Sequence, residues 1–172
     1  RTADKVLISV EEARRCLPSG RDYIVSGNPV REQIIFADRE KARARLGIGG
    51  RICIVSFGGS LGARHLNQGV AALKSKLLSR RDLYVIHSTG KGEYDSVVQE
   101  LALTQEESAR WRVMPYIDRM GEALAAADLV LSRAGASSVA EIAALAVPSM
   151  LVPYPFATAD HQTTNARYLV DA

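Results

Sequence analysis

The sequence predicts an α/β fold in which a parallel sheet is covered by helices on both faces. Two observations carry that prediction. From Arg51 onward, short apolar runs alternate with longer stretches whose apolar residues recur at helical spacing, the pattern of repeated βαβ units. The runs are closed by glycine, serine or proline, which places turns at their ends. Composition agrees. The 172 residues are 47% hydrophobic and 24% charged with a mean hydropathy of -0.02, enough apolar surface for one packed domain and too little for a membrane protein.

Residues 1–30 stand outside this rhythm. Val6 to Val10 and Tyr23 to Ser26 read as short strands around a small helix, and Gly27-Asn28-Pro29 is a turn that breaks the chain before Arg31. A boundary is expected there, with 1–30 as the end of a preceding unit plus a linker and 31–172 as the main domain. Arg51 to Phe57 is the first strand of that domain, stopped by Gly58-Gly59. Gly62 to Leu78 then carries Ala63, Leu66, Val70, Leu73 and Leu77 at helical spacing. Leu83 to His87 is the next strand, closed by Ser88-Thr89-Gly90, and Glu93 to Leu103 the next helix. Thr104-x-x-Glu107 has the form of a capping box. Trp111 to Pro115 is short and apolar, Met120 to Ala127 helical, Asp128 to Ser132 a strand, Ser137 to Leu145 helical, and Ser149 to Val152 a strand before Pro153 and Pro155. Asp160 to Val170 is the final helix, and its pattern stops at Ala172 without a cap. Both ends read as cut, so a fragment of a longer protein is expected.

The net charge is +3 and the pI near 9.0, with Arg39, Lys41, Arg43 and Arg45 crowded together. A modest basic excess suits nucleic acid, an anionic membrane surface or a phosphorylated ligand. Nucleic acid is the weakest of these, because no helix-turn-helix, zinc finger or aromatic-basic strand motif accompanies the charge. The plainest account of the 39–45 cluster is a solvated helix face. Cys16 and Cys53 sit in apolar or helical patterns rather than in a metal or redox spacing, and His65, His87 and His161 are scattered singly, so no metal site is expected. A reducing cytoplasm is the natural compartment. Arg1 to Val10 lacks the apolar core of a secretory signal. The longest apolar run, Ile142 to Val147, is far short of the roughly 18 residues that span a bilayer.

Three segments could carry chemistry. Gly58-Gly59-Ser60-Leu61-Gly62-Ala63 follows a strand and opens a helix, a context in which glycines let the backbone approach a phosphate. The same residues satisfy Gly-x-Ser-x-Gly, the nucleophile elbow of α/β-hydrolases, with Asp128 and His161 in the order of a catalytic triad. A plain tight turn is the third reading. Asp128 begins its strand, so it should lie at the opposite end of the sheet from Ser60. Gly135-Ala136-Ser137-Ser138-Val139-Ala140-Glu141 is a second strand-to-helix turn: its free N–H groups could hold a phosphate and Glu141 a pair of vicinal hydroxyls. Ser138-x-x-Glu141 is equally a capping box. Pro153 to Asn165 is a proline-stiffened loop running into a polar helix start at a strand C-terminus, where ligands bind in open α/β sheets. Asp160 there also suits an N-cap, and His161 and Gln162 a solvated surface.

Gly27-Asn28-Pro29-Val30-Arg31, Gly58 to Asn67, Arg133-Ala134-Gly135-Ala136, Glu141-Ile142-Ala143 and Asp160-His161-Gln162 to Asn165-Ala166, taken in order, resemble the MurG family of peripheral bacterial glycosyltransferases. The resemblance covers essentially the whole chain, and five motifs in order favour the ligand reading of both turns. It implies one half of a GT-B fold, in which two Rossmann-like domains face a cleft, and identifies this half as the donor-binding domain. By the same resemblance, Arg31 and Ser60 contact UDP-N-acetylglucosamine and the backbone of Ile117 reads uracil. Ala136, Ser137, Ser138, Val139, Ala140 and Glu141 cradle the diphosphate and ribose, with Glu141 on the diol, and Gln162 holds sugar hydroxyls. Phe156 and Ser88 depart from the family pattern without touching these contacts. The family transfers N-acetylglucosamine to lipid I to form lipid II in peptidoglycan synthesis, at the inner face of the membrane. Its chemistry is inverting transfer without a bound metal or cofactor, and its catalytic base and acceptor site belong to the N-terminal domain. The readings from other classes are a serine hydrolase built on Ser60 and a nucleotide-binding module without chemistry.

Overall fold

The computed structural model describes residues 3–59, 63–157 and 160–170. Val6–Ile8 (β1) and Tyr23–Val25 (β2) pair in parallel as a separate two-stranded sheet, with a 3-10 helix over Glu11–Cys16 between them. The chain continues through Glu32–Ile35 (α1), Arg39–Leu46 (α2), Ile52–Phe57 (β3), Arg64–Ala72 (α3), Lys74–Ser79 (α4), Leu83–Ser88 (β4) and Tyr94–Leu101 (α5). Gln105–Ser108 (α6), Trp111–Met114 (β5), Met120–Ala126 (α7), Leu129–Ser132 (β6), Ala136–Ala144 (α8), Ser149–Leu151 (β7) and His161–Val170 (α9) complete it.

The main sheet is parallel throughout, in the order β5-β4-β3-β6-β7. Side chains alternate across it as a strand requires. Cys53, Val55 and Phe57 of β3 face one way, onto Ile34 of α1, Ala42 of α2, Leu124 of α7 and Ile142 of α8. Val85 and Trp111 face the other way, onto Val70 and Ala71 of α3 and Val97 and Leu101 of α5. Helices therefore cover both faces, as the βαβ alternation predicts. Thr104 caps α6 in a full capping box: its side chain accepts from the Glu107 N–H and the Glu107 carboxylate accepts from the Thr104 N–H.

Two expectations are corrected. The single helix expected over 62–78 is two, meeting at Leu73 (φ -86°, ψ 1°), whose N–H bonds back three residues to Val70 rather than four. The 39–45 cluster is also more than a solvated face. Arg39 donates to the carbonyls of Ala125 and Ala127 at 3.1 and 2.6 Å, and Arg43 to that of Ala126 at 2.9 Å. These are carbonyls that the end of α7 leaves without intrahelical partners, at the negative pole of its dipole. Both guanidinium groups also hold Asp128, at 2.5 and 3.1 Å. Burial pushes the Asp128 carboxyl up, but the Cys53 N–H and the two arginines outweigh it and keep it below the ordinary carboxylate value. Lys41, with its side chain 85% exposed, does fit the solvated description.

His87 is fully buried at the end of β4, and burial pushes its ring down from 6.5 to about 4. An unfolded imidazole takes up a proton near pH 6.5, so between that pH and about 4 the unfolded state binds more protons and gains on the native state. Stability from this group is therefore complete above pH 6.5 and falls as the pH drops to 4, by about 3 kcal/mol in all. Denaturant melts at pH 7.5 and 4.5 should show the loss, and His87→Gln, which cannot titrate, should flatten the slope between them.

Candidate functional site at the switch point of the sheet

In this strand order the chain runs outward from β3 to β4 and β5, then returns to place β6 on the other side of β3. Such a reversal opens a crevice beyond the strand C-termini, where open α/β sheets bind ligands. Because every strand is parallel, the turns after β3, β5, β6 and β7 all emerge at this one edge. The predicted segments around Ile117, Ala136 to Glu141 and Gln162 are therefore brought to the same side. Ser60 itself lies outside the described residues, although the strand before it and Gly59 (φ 91°) are as the motif requires.

The turn after β6 is three residues long, and it decides how the next helix begins. Gly135 is the N-cap of α8 and has no side chain to cap it. The first N–H to bond back is that of Val139, to the Gly135 carbonyl at 2.9 Å, which leaves those of Ala136, Ser137 and Ser138 without intrahelical partners. The capping box expected from Ser138-x-x-Glu141 is thus not formed, because the helix starts too early: Ser138 is already its third residue. Ala136 and Ser137 are exposed, Val139 points into the core at 9% exposure, and Ala140 is half-buried. Three aligned N–H groups at a helix N-terminus form an anion site.

Glu141 lies further along α8 with its side chain 12% exposed, and Arg31, at the N-cap of α1, reaches across to it. The guanidinium donates twice, from Nη2 at 2.9 Å and Nε at 3.2 Å, and both bonds go to Glu141 Oε1. Among the described residues Oε2 accepts nothing, so one carboxylate oxygen remains for a hydroxyl donor. Two predicted site residues 110 positions apart are in this way joined.

Ile117 follows β5 with its side chain 6% exposed and packed in the main core. Among the described residues its peptide N–H and C=O have no hydrogen-bond partner. Gln162 lies in the first turn of α9, where its Oε1 accepts from the Tyr154 N–H at 2.9 Å; only its amide N–H groups are left to donate.

Four residues to which the sequence assigned no role hold these turns in place. Arg133, 8% exposed, donates to the carbonyls of Val152 and Pro153 at 3.1 and 2.9 Å and lies over the Tyr154 ring. Asn165 of α9 donates to the Ala134 carbonyl at 3.0 Å. The turn after β6, the loop after β7 and the start of α9 are tied into one unit by these bonds. His87 and Asn67 do the same on the other side of β3, with His87 Nε2 and Asn67 Oδ1 3.1 Å apart. A charged or amide residue directly after an apolar strand was the signal available for Arg133; for Asn67, it was an amide on the buried face of a helical pattern.

The hydrolase reading loses its acid. Asp128 accepts from the Cys53 N–H at 2.7 Å, near the start of β3 and about 13 Å from Phe57 at the end of that strand, and its carboxylate is held by Arg39 and Arg43. No helix among the described residues is long and apolar enough to cross a membrane.

The glycosyltransferase family 28 C-terminal domain matches residues 53–172. The UDP-N-acetylglucosamine--N-acetylmuramyl-(pentapeptide) pyrophosphoryl-undecaprenol N-acetylglucosamine transferase of Acetivibrio thermocellus is 41% identical over 96% of this chain and 45% of its own length. The protein of the same name from Halothermothrix orenii is 39% identical over 98% of this chain and 47% of its own. Among solved structures, Acinetobacter baumannii MurG superposes with a TM-score of 0.67 at 28% identity, covering 98% of this chain and 45% of that one. The chain thus spans about half the length of the curated relatives it matches, and its fold is one half of a GT-B glycosyltransferase. On the match over 53–172 and the identities along nearly its whole length, the chain belongs to the glycosyltransferase family 28 C-terminal domain family, among its MurG-type members.

Proposed function

We propose that this chain is the UDP-N-acetylglucosamine-binding half of an inverting glycosyltransferase that moves N-acetylglucosamine onto lipid I, forming lipid II in peptidoglycan synthesis. One observation carries the reading. At the switch point an uncapped helix N-terminus stands beside a carboxylate with one free oxygen and a guanidinium across from it. Those are partners for a diphosphate and a sugar diol. The names of the relatives above supply the donor and acceptor.

In this account the N–H groups of Ala136, Ser137 and Ser138 hold the diphosphate, with the backbone of Val139 and Ala140 completing the turn. Glu141 takes the ribose hydroxyls, Arg31 and Ser60 contact the donor, and Gln162 donates its amide hydrogens to the sugar. The peptide group of Ile117 reads uracil. β5 and β6 are three strand spacings apart, about 14 Å, which suits an extended nucleoside diphosphate with its base at one end and its phosphates at the other. As UDP departs, its charge grows on oxygens that already face the positive pole of α8. The base that deprotonates the acceptor hydroxyl and the lipid-binding surface belong to a second domain across the cleft, and residues 1–30 close that domain and link it to 31–172. A lipid-linked acceptor places the enzyme on the cytoplasmic face of the membrane, against its anionic surface.

Titration calorimetry of the chain tests this. UDP and UDP-N-acetylglucosamine should both bind, ADP about ten-fold more weakly, and no glycosyl transfer to a lipid I analogue should occur without the second domain. Absence of UDP binding, or equal binding of ADP, would overturn the proposal.

A further inference from the structure

Asn67, on α3, is 1% exposed, and both ends of its amide are used. Its Nδ2 donates to the carbonyl of Thr89 at 2.9 Å. A carbonyl only accepts, so this bond fixes which end of the amide points there and turns Oδ1 toward His87 Nε2, 3.1 Å away. His87 must then carry its proton on Nε2 and donate it. The Thr89 N–H in turn donates to the Met114 carbonyl at 3.0 Å, at the last residue of β5. Only Pro115 and Tyr116 separate Met114 from Ile117. A buried line of bonds therefore runs from His87 through the Asn67 amide and the Thr89 peptide to the segment that carries Ile117. A second tie runs parallel to it at the surface, where Arg64, the first residue of α3, pairs with Glu93 at 3.0 Å.

Nothing in packing alone asks for this line. Its three members are 0 to 1% exposed on a sheet face otherwise filled by Val70, Val85, Val97 and Trp111, where apolar side chains would fill the space without desolvating polar groups. What polar bonds add is direction. α3, the turn after β4 and the end of β5 are held at fixed separations, and the end of β5 cannot slide relative to α3. β5 has β4 on one side and is the edge strand of the sheet, so without the Thr89 bond its last residue would have less to hold it.

We propose that His87 and Asn67 are positioning residues that set the nucleobase selectivity of the site, by holding the Ile117 peptide group in register with the bound base. The inference rests on the donor-site reading given above. Uracil and cytosine have the same size and carry the same ribose and diphosphate, but the N–H donor at N3 and the carbonyl acceptor at C4 of uracil become an acceptor and an amino donor in cytosine. A peptide group separates the two only when its N–H and C=O are correctly aimed, because hydrogen bonds weaken steeply with angle. The ratio of UDP to CDP affinity reads that aim and cancels whatever the diphosphate and ribose contribute.

The test is calorimetry of the chain and three variants with UDP, CDP and inorganic pyrophosphate. The wild type should prefer UDP. His87→Phe removes the Nε2–H donor, and Asn67→Asp keeps an acceptor for His87 but cannot donate to Thr89; each should lower the UDP/CDP ratio about ten-fold. Pyrophosphate binding, which depends on α8, should stay within about two-fold. His87→Gln presents an N–H at nearly the same place and should restore most of the ratio. Two disrupting variants are used so that one that fails to fold leaves the other. A folded His87→Phe or Asn67→Asp protein with the wild-type ratio would overturn the positioning role while leaving the donor site standing. A wild type that binds UDP and CDP alike would overturn both.

Discussion

Glu141→Gln should weaken UDP binding by roughly 10-fold to 100-fold and leave the melting temperature within about 3 °C of the wild type. A charge-assisted hydrogen bond is worth about 1.5 to 3 kcal/mol, and each 1.4 kcal/mol is a factor of ten in affinity. The carboxylate is able to supply that bond because Arg31 occupies only Oε1. The small effect on stability has two causes. Glu141 takes no part in capping α8, whose N-cap is Gly135, so no cap is lost. The Arg31 side chain is 52% exposed, and an ion pair with one half-solvated partner contributes at most about 1 kcal/mol. Calorimetry beside a thermal melt separates the outcomes. Unchanged UDP affinity with a lowered melting point would make Glu141 a structural partner of Arg31 and nothing more.

Gly121→Ala should be strongly destabilising. Gly121 lies in the first turn of α7, and a Cβ there would press into the Gln33 carbonyl oxygen while standing 3.0 Å from its carbon and 3.3 Å from the Ile34 Cα. All three are backbone atoms, so no side chain can rotate away. The first turn of α7 and α1 must separate, and Ile34, fully buried, is drawn from the core with them. Overpacking of this kind costs about 3 kcal/mol, or a fall in melting temperature of roughly 6 to 12 °C for a domain of this size. Since Arg31 is the N-cap of α1, UDP binding should weaken too. A variant that melts with the wild type would show that α1 is not seated on α7 as described.

The sheet was legible in the sequence because its central strands, β3 and β4, are largely buried and read as continuous apolar runs rich in isoleucine and valine, each stopped by a turn residue. The βαβ rhythm implied parallel strands, but it did not say on which side of β3 each later strand would pair. What could not be read were contacts made across long separations. Arg39 and Arg43 look like a solvated face until α7 presents its terminal carbonyls more than 80 residues later. Ser138-x-x-Glu141 and Thr104-x-x-Glu107 have the same form, yet only the second is a capping box. The difference lies in the turn before each: Gly135, the last residue of a three-residue turn, is already the N-cap of α8, so Ser138 is carried past the cap position. At the site, the glycine turns and Glu141 were visible as local motifs, whereas the Arg31 ion pair, the Arg133 and Asn165 ties and the His87 line were not, because their partners lie from 19 to 110 residues away. The kink at Leu73 has no glycine or proline to mark it.

Amide chemical shifts of the isotope-labelled chain, followed through a titration with UDP-N-acetylglucosamine, show where on the domain the donor binds. A donor site at the switch point predicts the largest changes at Ala136, Ser137 and Ser138, with a second group at Ile117 and its neighbours and a third around Tyr154 and Gln162. Small changes are expected at Cys53 and Asp128, at the opposite edge of the sheet. Shifts clustered instead in the cavity of about 400 Å³ between α5 and β5, lined by Tyr94, Val98 and Trp111, would contradict the account, as would a spectrum that the ligand leaves unchanged.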